Sequence, residues 1–198
     1  MSSPRLLVVA GEVSGDMHAG NLLGELNARV SGLSAFGIGG DRLVANGLEA
    51  LAGTDELAHM GLVEVFRELP RIRRIMNDLV DAAAERRPTV AILVDSPDFN
   101  LRLAKRLRRL GIPVVLYVSP QLWAWRQGRV RTVRTLADEV LCILPFEVDF
   151  YQQHRVPARY VGPPLVDESA RVGLLESPAT VRENRLAMMP GSRGMEVR

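Results

Sequence analysis

The sequence predicts an α/β fold, a Rossmann-like parallel sheet with helices on both faces, followed by the opening of a second unit. Three observations carry this. Short β-branched or apolar runs alternate with longer segments of helical period, the signature of strands in a helix-covered parallel sheet. Small-residue turns follow the first two runs, at Gly11-Glu12-Val13-Ser14-Gly15-Asp16 and at Gly37-Ile38-Gly39-Gly40. One segment, Phe99 to Leu110, carries Phe99, Leu103, Leu107 and Leu110 on one helical face and Arg102, Lys105, Arg106 and Arg109 on the other.

In chain order, strands are expected near Arg5 to Ala10, Ala35 to Ile38, Thr89 to Val94, Pro113 to Val118, Glu139 to Ile143 and Ala158 to Val161. A long helical stretch runs from Gly61 to Arg87, and Pro70 should kink or split it. After Val161 comes Gly162-Pro163-Pro164 and then a polar, weakly periodic stretch to Asn184. It reads as a linker between domains. A new apolar run, Arg185 to Met189, leads into Pro190-Gly191-Ser192-Arg193-Gly194, a strand and glycine turn that would begin another mononucleotide-binding unit. The expected organisation is therefore a first domain over 1–165, a linker over 166–184 and the truncated start of a second domain over 185–198.

Of the 198 residues, 47% are hydrophobic and 24% charged, which marks a soluble globular protein with a full core. Net charge is only +2, and Lys105 is the one lysine among 25 basic residues. That balance, without aromatic-interleaved basic motifs, argues against nucleic acid. A local basic patch for phosphates or anionic headgroups stays open. Cys142 is the single cysteine, so neither a disulfide framework nor a thiolate cluster is expected. His18, His59 and His154 are far apart without carboxylates patterned around them, and no metal site is read. The apolar run at the N-terminus is too short for a signal peptide, and nothing approaches the ~20 apolar residues of a membrane span. The expectation is a cytoplasmic protein whose membrane contact is peripheral.

Five segments are candidates for chemistry. In the first, Gly11, Glu12, Ser14, Gly15 and Asp16 make a turn that presents backbone N–H groups and a helix N-terminus to anions; taken alone, a plain strand-to-helix connection with Asp16 or Ser14 as cap is the simpler explanation. Gly39 and Gly40 would let backbone approach a ligand closely. In the second, Asp95-Ser96-Pro97-Asp98-Phe99-Asn100 follows a buried strand: its two carboxylates, Asp95 and Asp98, and the Asn100 amide suit a general base and hydrogen bonds to sugar hydroxyls, or Asp98 caps the next helix and Asp95 orients the loop. In the third, Tyr117 to Arg126 reads YVSPQLWAWR, with Ser119, Gln121, Trp123, Trp125 and Arg126 in the loop after a strand, at the carboxyl edge where open α/β sheets bind ligands. Its two tryptophans either shape a site or plug the core beside that edge. In the fourth, Met60 to Phe66 is apolar around most of its circumference. Core packing explains that, as does an exposed lip at Leu62, Val63 and Phe66 for acyl chains or a bilayer, with Arg67, Arg71, Arg73 and Arg74 nearby. In the fifth, Ser192 and Arg193 sit at a glycine turn opening a helix, which suits a diphosphate.

These segments in this order resemble the lipid-A-disaccharide synthases, inverting glycosyltransferases of the two-Rossmann-domain GT-B type. The likeness rests on GEVSGDMHAGNLL from Gly11, GIGGDRL from Gly37, MGLVEVFRELP from Met60, DSPDFN from Asp95, YVSPQLWAWR from Tyr117, LPFEVDFY from Leu144 and MPGSRGMEV from Met189. The resemblance implies transfer of 2,3-diacylglucosamine from its UDP carrier to the 6-hydroxyl of 2,3-diacylglucosamine 1-phosphate, at the cytoplasmic face of the inner membrane. It further implies Asp98 as the base that deprotonates the acceptor hydroxyl, Arg193 near the diphosphate, and no cofactor or metal. The N-terminal domain would supply the acceptor side. Two departures stand out. Pro163 follows Gly162 where the family more often has histidine, and the usual C-terminal half lies beyond the sequence, so the chain alone is expected to be inactive. A non-catalytic lipid-sugar binding module and a UDP-sugar enzyme of the epimerase kind are the competing readings, and an oligomer is left open.

Overall fold

The structure, a computed structural model, describes residues 3–58 and 65–173. The chain divides into two compact units, Met1–Pro164 and Leu165–Arg198. The first unit holds a seven-stranded sheet. Its strands are β1 (Arg5–Ala10), β2 (Ser34–Ile38), β3 (Leu48–Ala52), β4 (Val90–Val94), β5 (Val114–Tyr117), β6 (Glu139–Cys142) and β7 (Ala158–Tyr160). Their spatial order is β3-β2-β1-β4-β5-β6-β7, with every pairing parallel.

That order explains how the helices are shared between faces. From β1 the chain steps outward through β2 to β3, then returns to place β4 on the other side of β1. Right-handed crossovers in opposite directions deposit their helices on opposite faces. Thus α1 (Val13–Arg29) and α2 (Asp41–Ala45) cover one face, where Leu6, Val8, Ala10, Ile92 and Val94 meet Ala19, Leu23 and Leu43. On the other face lie α3 (Asp55–Ala58), α4 (Val65–Arg86), α5 (Pro97–Arg109), α6 (Val130–Leu136) and α7 (Pro145–Gln153), packed over Leu7, Val9, Ala91, Leu93, Val114 and Val140. Adjacent residues of β1 and β4 alternate between these two cores. Both faces are buried, which is why the central strands read as unbroken apolar runs.

Several expectations need correction. The strand β3 is not among those the sequence pattern predicts, because Leu48–Ala52 is an edge strand with only its first and last residues buried and no β-branched side chain. Its Glu49 instead takes a two-pronged salt bridge from Arg86, at 2.7 and 2.8 Å, and the Arg86 guanidinium also stacks over Phe36. Pro70 does not split α4, which runs through it to Arg86. The proline is solvent-exposed with little more than one described turn before it, so water can satisfy the carbonyl that loses its donor. Leu110 is the residue after α5 and is exposed, while Phe99, Leu103 and Leu107 are buried as expected.

The stretch read as linker begins with a helix, α8 (Pro164–Arg171), in which proline at the first position is pre-set for helical φ. Residues 174–198, with the anticipated strand at Arg185 to Met189 and the Ser192-Arg193 turn, lie outside the described residues. So do Met60, Leu62 and Val63; Phe66 falls in the first turn of α4. Among the described residues no helix is long and apolar enough to cross a membrane.

Candidate functional site

Parallel pairing brings three loops off the sheet at one level. The last paired residues are Ala10 with Val94 and Val94 with Tyr117, so Gly11, Asp95 and Val118 leave side by side at the carboxyl edge. The strand order reverses between β1 and β4, where open α/β sheets form their ligand crevice. Gly11 is needed for the loops to meet, since a Cβ there would lie 2.5 Å from Ser96 Oγ. The backbone is strained along this edge. Asp95, Ser96, Val118 and Arg126 have φ of +54°, +39°, +59° and +62°. Such conformations are unfavourable for non-glycine residues, above all for β-branched Val118, and they cluster at functional sites.

Asp98 projects from the first turn of α5, where the helix dipole favours an anion. The residue in cap position is Ser96, and no side chain caps the helix, so the N-cap role considered for Asp98 is not the one it fills. Its carboxylate instead accepts hydrogen bonds from Arg129 at 2.5 Å and from Arg126 at 3.2 and 3.3 Å. All three side chains are partly open to solvent, Asp98 at 57%. Partial burial pulls the Asp98 carboxyl up, but the hydrogen bonds and charges of Arg129, and then of Arg126, outweigh it and hold the group below the ordinary carboxylate range. Arg129, in the 3₁₀ turn Gln127–Arg129, is not among the residues the sequence points to. Nothing in its local sequence separates it from Arg131 or Arg134; only the fold points it at Asp98.

The loop that carries Arg126 is braced from inside. Tyr151 of α7 donates its hydroxyl proton to the Pro120 carbonyl at 2.6 Å. Buried Glu147 accepts from the Trp123 indole N–H at 3.2 Å and from the Leu144 backbone N–H at 3.1 Å. Trp123 also meets the Phe146 ring edge-on, centroids 4.9 Å apart. The two tryptophans therefore part company: Trp123 is half-buried and anchors the loop, whereas Trp125 is 69% exposed and available to a ligand. Ser119 is buried and Gln121 exposed.

Other expected site residues turn inward. Asp16 is buried in α1 and accepts the backbone N–H groups of Gly40, Arg42 and Leu43 at 2.7, 3.0 and 3.2 Å. It thus caps α2 rather than its own helix, whose cap position is Glu12; Ser14 lies inside α1. Gly39 and Gly40 face protein and not open space: a Cβ on Gly39 would meet Leu43 and Leu48, and one on Gly40 would meet the Asp16 carboxylate. Gly15 packs its helix onto Ala10 and Val94 at ordinary contact distance. Buried Asn100 donates to the carbonyls of Val94 at 3.0 Å and Asp95 at 2.7 Å, so it holds the strained loop from beneath and is not presented to a sugar. Glu12 and Ser14 are exposed at the N-terminal end of α1.

Among the described residues, no group of three or more His, Cys, Asp or Glu side chains converges as metal ligands would. A groove of ≈ 560 Å³ lies three strands away from β4, where Leu51, Ala52 and Glu56 face Arg71, Ile75 and Leu79 of α4. In the segments that follow β1, β4 and β5 at the carboxyl edge, the side chains open to solvent include Asp98, Arg126, Arg129, Trp125, Glu12 and Ser14. This is a hydrogen-bonding and charge-bearing surface that includes the Asp98 carboxylate and its two arginines.

The fold recurs in known proteins. The chain superposes on half of a Siraitia grosvenorii UGT transferase solved with UDP, at TM-score 0.51 and 12% identity over 81% of this chain. It also superposes on half of a Neisseria meningitidis UDP-GlcNAc 2-epimerase solved with UDP-GlcNAc, at TM-score 0.57 and 12% identity over 88% of this chain. These share the fold. In sequence, the chain is 53% identical to a lipid-A-disaccharide synthase of Myxococcus xanthus over 98% of its length, and 40% identical to one from Idiomarina loihiensis, again over 98%. It spans about half the length of these curated relatives, 52% in each case. A family model described as lipid-A-disaccharide synthetase matches residues 6–198. The chain belongs to the lipid-A-disaccharide synthetase family.

Proposed function

We propose that this chain is the acceptor-side half of an inverting glycosyltransferase that joins two acylated glucosamines. The transferred group is 2,3-diacylglucosamine, carried by UDP; the acceptor is 2,3-diacylglucosamine 1-phosphate, and the products are a β-1,6-linked disaccharide and UDP. The observation that carries this reading is the position of Asp98 at the carboxyl edge beside the strand-order reversal, with a side chain that no helix cap occupies. Asp98 takes the proton from the acceptor 6-hydroxyl as its oxygen attacks the anomeric carbon and the bond to UDP breaks. Inversion needs only that one base on the acceptor side. Trp125 offers an apolar plane to a sugar face, and Glu12 and Ser14 offer hydrogen bonds across the crevice.

In this reading the second half of the relatives' length supplies most of the donor site, and Ser192 and Arg193 bind the diphosphate. The leaving charge is offset by that arginine, without a metal. Acylated substrates place the reaction at the inner face of a membrane, contacted peripherally by the apolar residues Leu62, Val63 and Phe66. The deciding experiment measures turnover of UDP-diacylglucosamine and diacylglucosamine 1-phosphate by the 198-residue chain and by a version extended to the relatives' full length. Activity in the extended version, lowered ~10² to 10⁴-fold by Asp98→Ala with the fold intact, is the expected result. An inactive extended protein, or an Asp98→Ala variant of near-normal activity, would refute the reading or the role of Asp98 respectively.

A further inference from the structure

Two guanidinium groups converge on one half-exposed carboxylate at the ligand edge of the sheet. Arg129 reaches Asp98 at 2.5 Å and Arg126 at 3.2 Å. One carboxylate neutralises one of them, so the cluster keeps an excess positive charge where a ligand would enter. Arg126 is held in the left-handed conformation, with φ +62°, on a loop that Glu147 and Tyr151 brace from the core. A strained, braced Arg126 beside a second arginine on the same carboxylate is poorly explained by a surface salt bridge, which contributes little to stability. It is well explained by recognition, because two planar forks presented together match the terminal oxygens of a phosphate.

We propose that Arg126 and Arg129 form the binding site for the phosphate monoester of the acceptor sugar, and that this phosphate and the Asp98 carboxylate compete for the same two guanidiniums. The inference rests on the glycosyltransferase reading for the identity of the sugar. A monoester is close to a dianion at neutral pH and satisfies both arginines where a carboxylate satisfies one. In a hexosamine 1-phosphate, the carbon bearing the phosphate and the carbon bearing the 6-hydroxymethyl group flank the same ring oxygen, so one small sugar can address both the arginines and Asp98. The charged groups facing Asp98 are Arg126 and Arg129. Once the phosphate draws them off, the carboxylate regains proton affinity beside the hydroxyl it must deprotonate. The acceptor's own phosphate then licenses the base, and an unphosphorylated sugar leaves Asp98 clamped. Arg129 is on this account a positioning and specificity residue.

The test uses the 198-residue chain and soluble probes, so that it does not depend on turnover. Binding of α-D-glucosamine 1-phosphate, glucosamine and UDP is measured by calorimetry, and the Asp98 carboxyl carbon is followed by NMR through a pH titration with and without each probe. Glucosamine 1-phosphate should bind at least about tenfold tighter than glucosamine, the worth of one charge-assisted hydrogen bond. Arg129→Gln and Arg126→Gln should each erase that preference, and Arg131→Gln, an equal loss of charge on the exposed side of α6, should not. The Asp98 midpoint should rise with glucosamine 1-phosphate bound and in Arg129→Gln without it. Equal affinity for the two sugars, or an Asp98 midpoint that the phosphorylated sugar leaves in place, overturns the proposal. A response to UDP alone overturns the assignment to the acceptor. Failure here with full turnover in the extended protein would leave the glycosyltransferase reading standing.

Discussion

The carboxylate of Asp16, in the first turn of α1, accepts the backbone N–H of Gly40 at 2.7 Å and so ties the turn after β1 to the turn after β2. With the N–H groups of Arg42 and Leu43 it satisfies three donors that begin α2, a helix of five residues with no cap of its own. Short helices depend on such partners, because their unpaired N–H groups form most of their length. Asp16→Ala should therefore cost about 2–3 kcal/mol, more than a surface cap, since the freed donors are largely buried. Asp16→Asn should lose roughly half as much, because it keeps one acceptor oxygen. Urea unfolding of the two variants checks this, and equal stability of Asp16→Ala and the parent would show the clasp to be dispensable.

Gly37 has φ +146°, and a Cβ on it would sit 1.9 Å from the Val8 carbonyl oxygen of the neighbouring strand. The same residue stands where the β2–β3 register shifts. Gly37→Ala must break the β1–β2 approach or the backbone angle, and about 3 kcal/mol or more is expected. Gly128→Ala, with nothing within 4 Å of the new carbon, should leave the unfolding midpoint where it is.

Cys142 is wholly buried at the end of β6, and burial, with the nearby Glu147 charge, pushes its thiol up to about 12. A thiol that is neutral and inaccessible does not react. Native protein should resist a thiol reagent at neutral pH, with labelling appearing only as urea unfolds it. Rapid labelling in native buffer would show that the β6 end opens locally.

The Asp98 carboxyl is lowered in the folded state relative to about 3.9 in an unfolded chain. A lowered folded value means that its contribution to stability is fully present above the unfolded value and is lost as pH falls through the folded one. The unfolding midpoint of the parent should exceed that of Asp98→Asn by a constant amount above pH ~5, and the gap should close below ~4. The groups are half-exposed, so added salt should shrink the gap. A gap independent of pH would mean that the two arginines contribute nothing to the ionised form.

The parallel α/β class and the level at which chemistry sits were legible in the chain itself. Strands buried on both faces must be apolar throughout, as Leu6 to Ala10 and Val90–Val94 are, and the residues directly after them must then lie at the carboxyl edge, which places Gly11 and Asp95, with Asp98 close behind. The side-chain roles were not legible, because each depends on a partner distant in sequence. Asp16 answers Leu43, 27 residues on; Asp98 answers Arg129, 31 residues on; Trp123 answers Glu147, 24 residues on. Local pattern records which face of an element is buried, since that is a matter of spacing along one segment. It does not record which hydrogen-bond donors the crossovers bring to a given carboxylate. For that reason the sequence by itself determined the sheet, its apolar strands and the edge that bears the site. Only the tertiary structure decided that Asp16 and Asn100 serve the scaffold, that β3 closes one margin with scarcely a buried side chain, and that Asp98 meets two arginines.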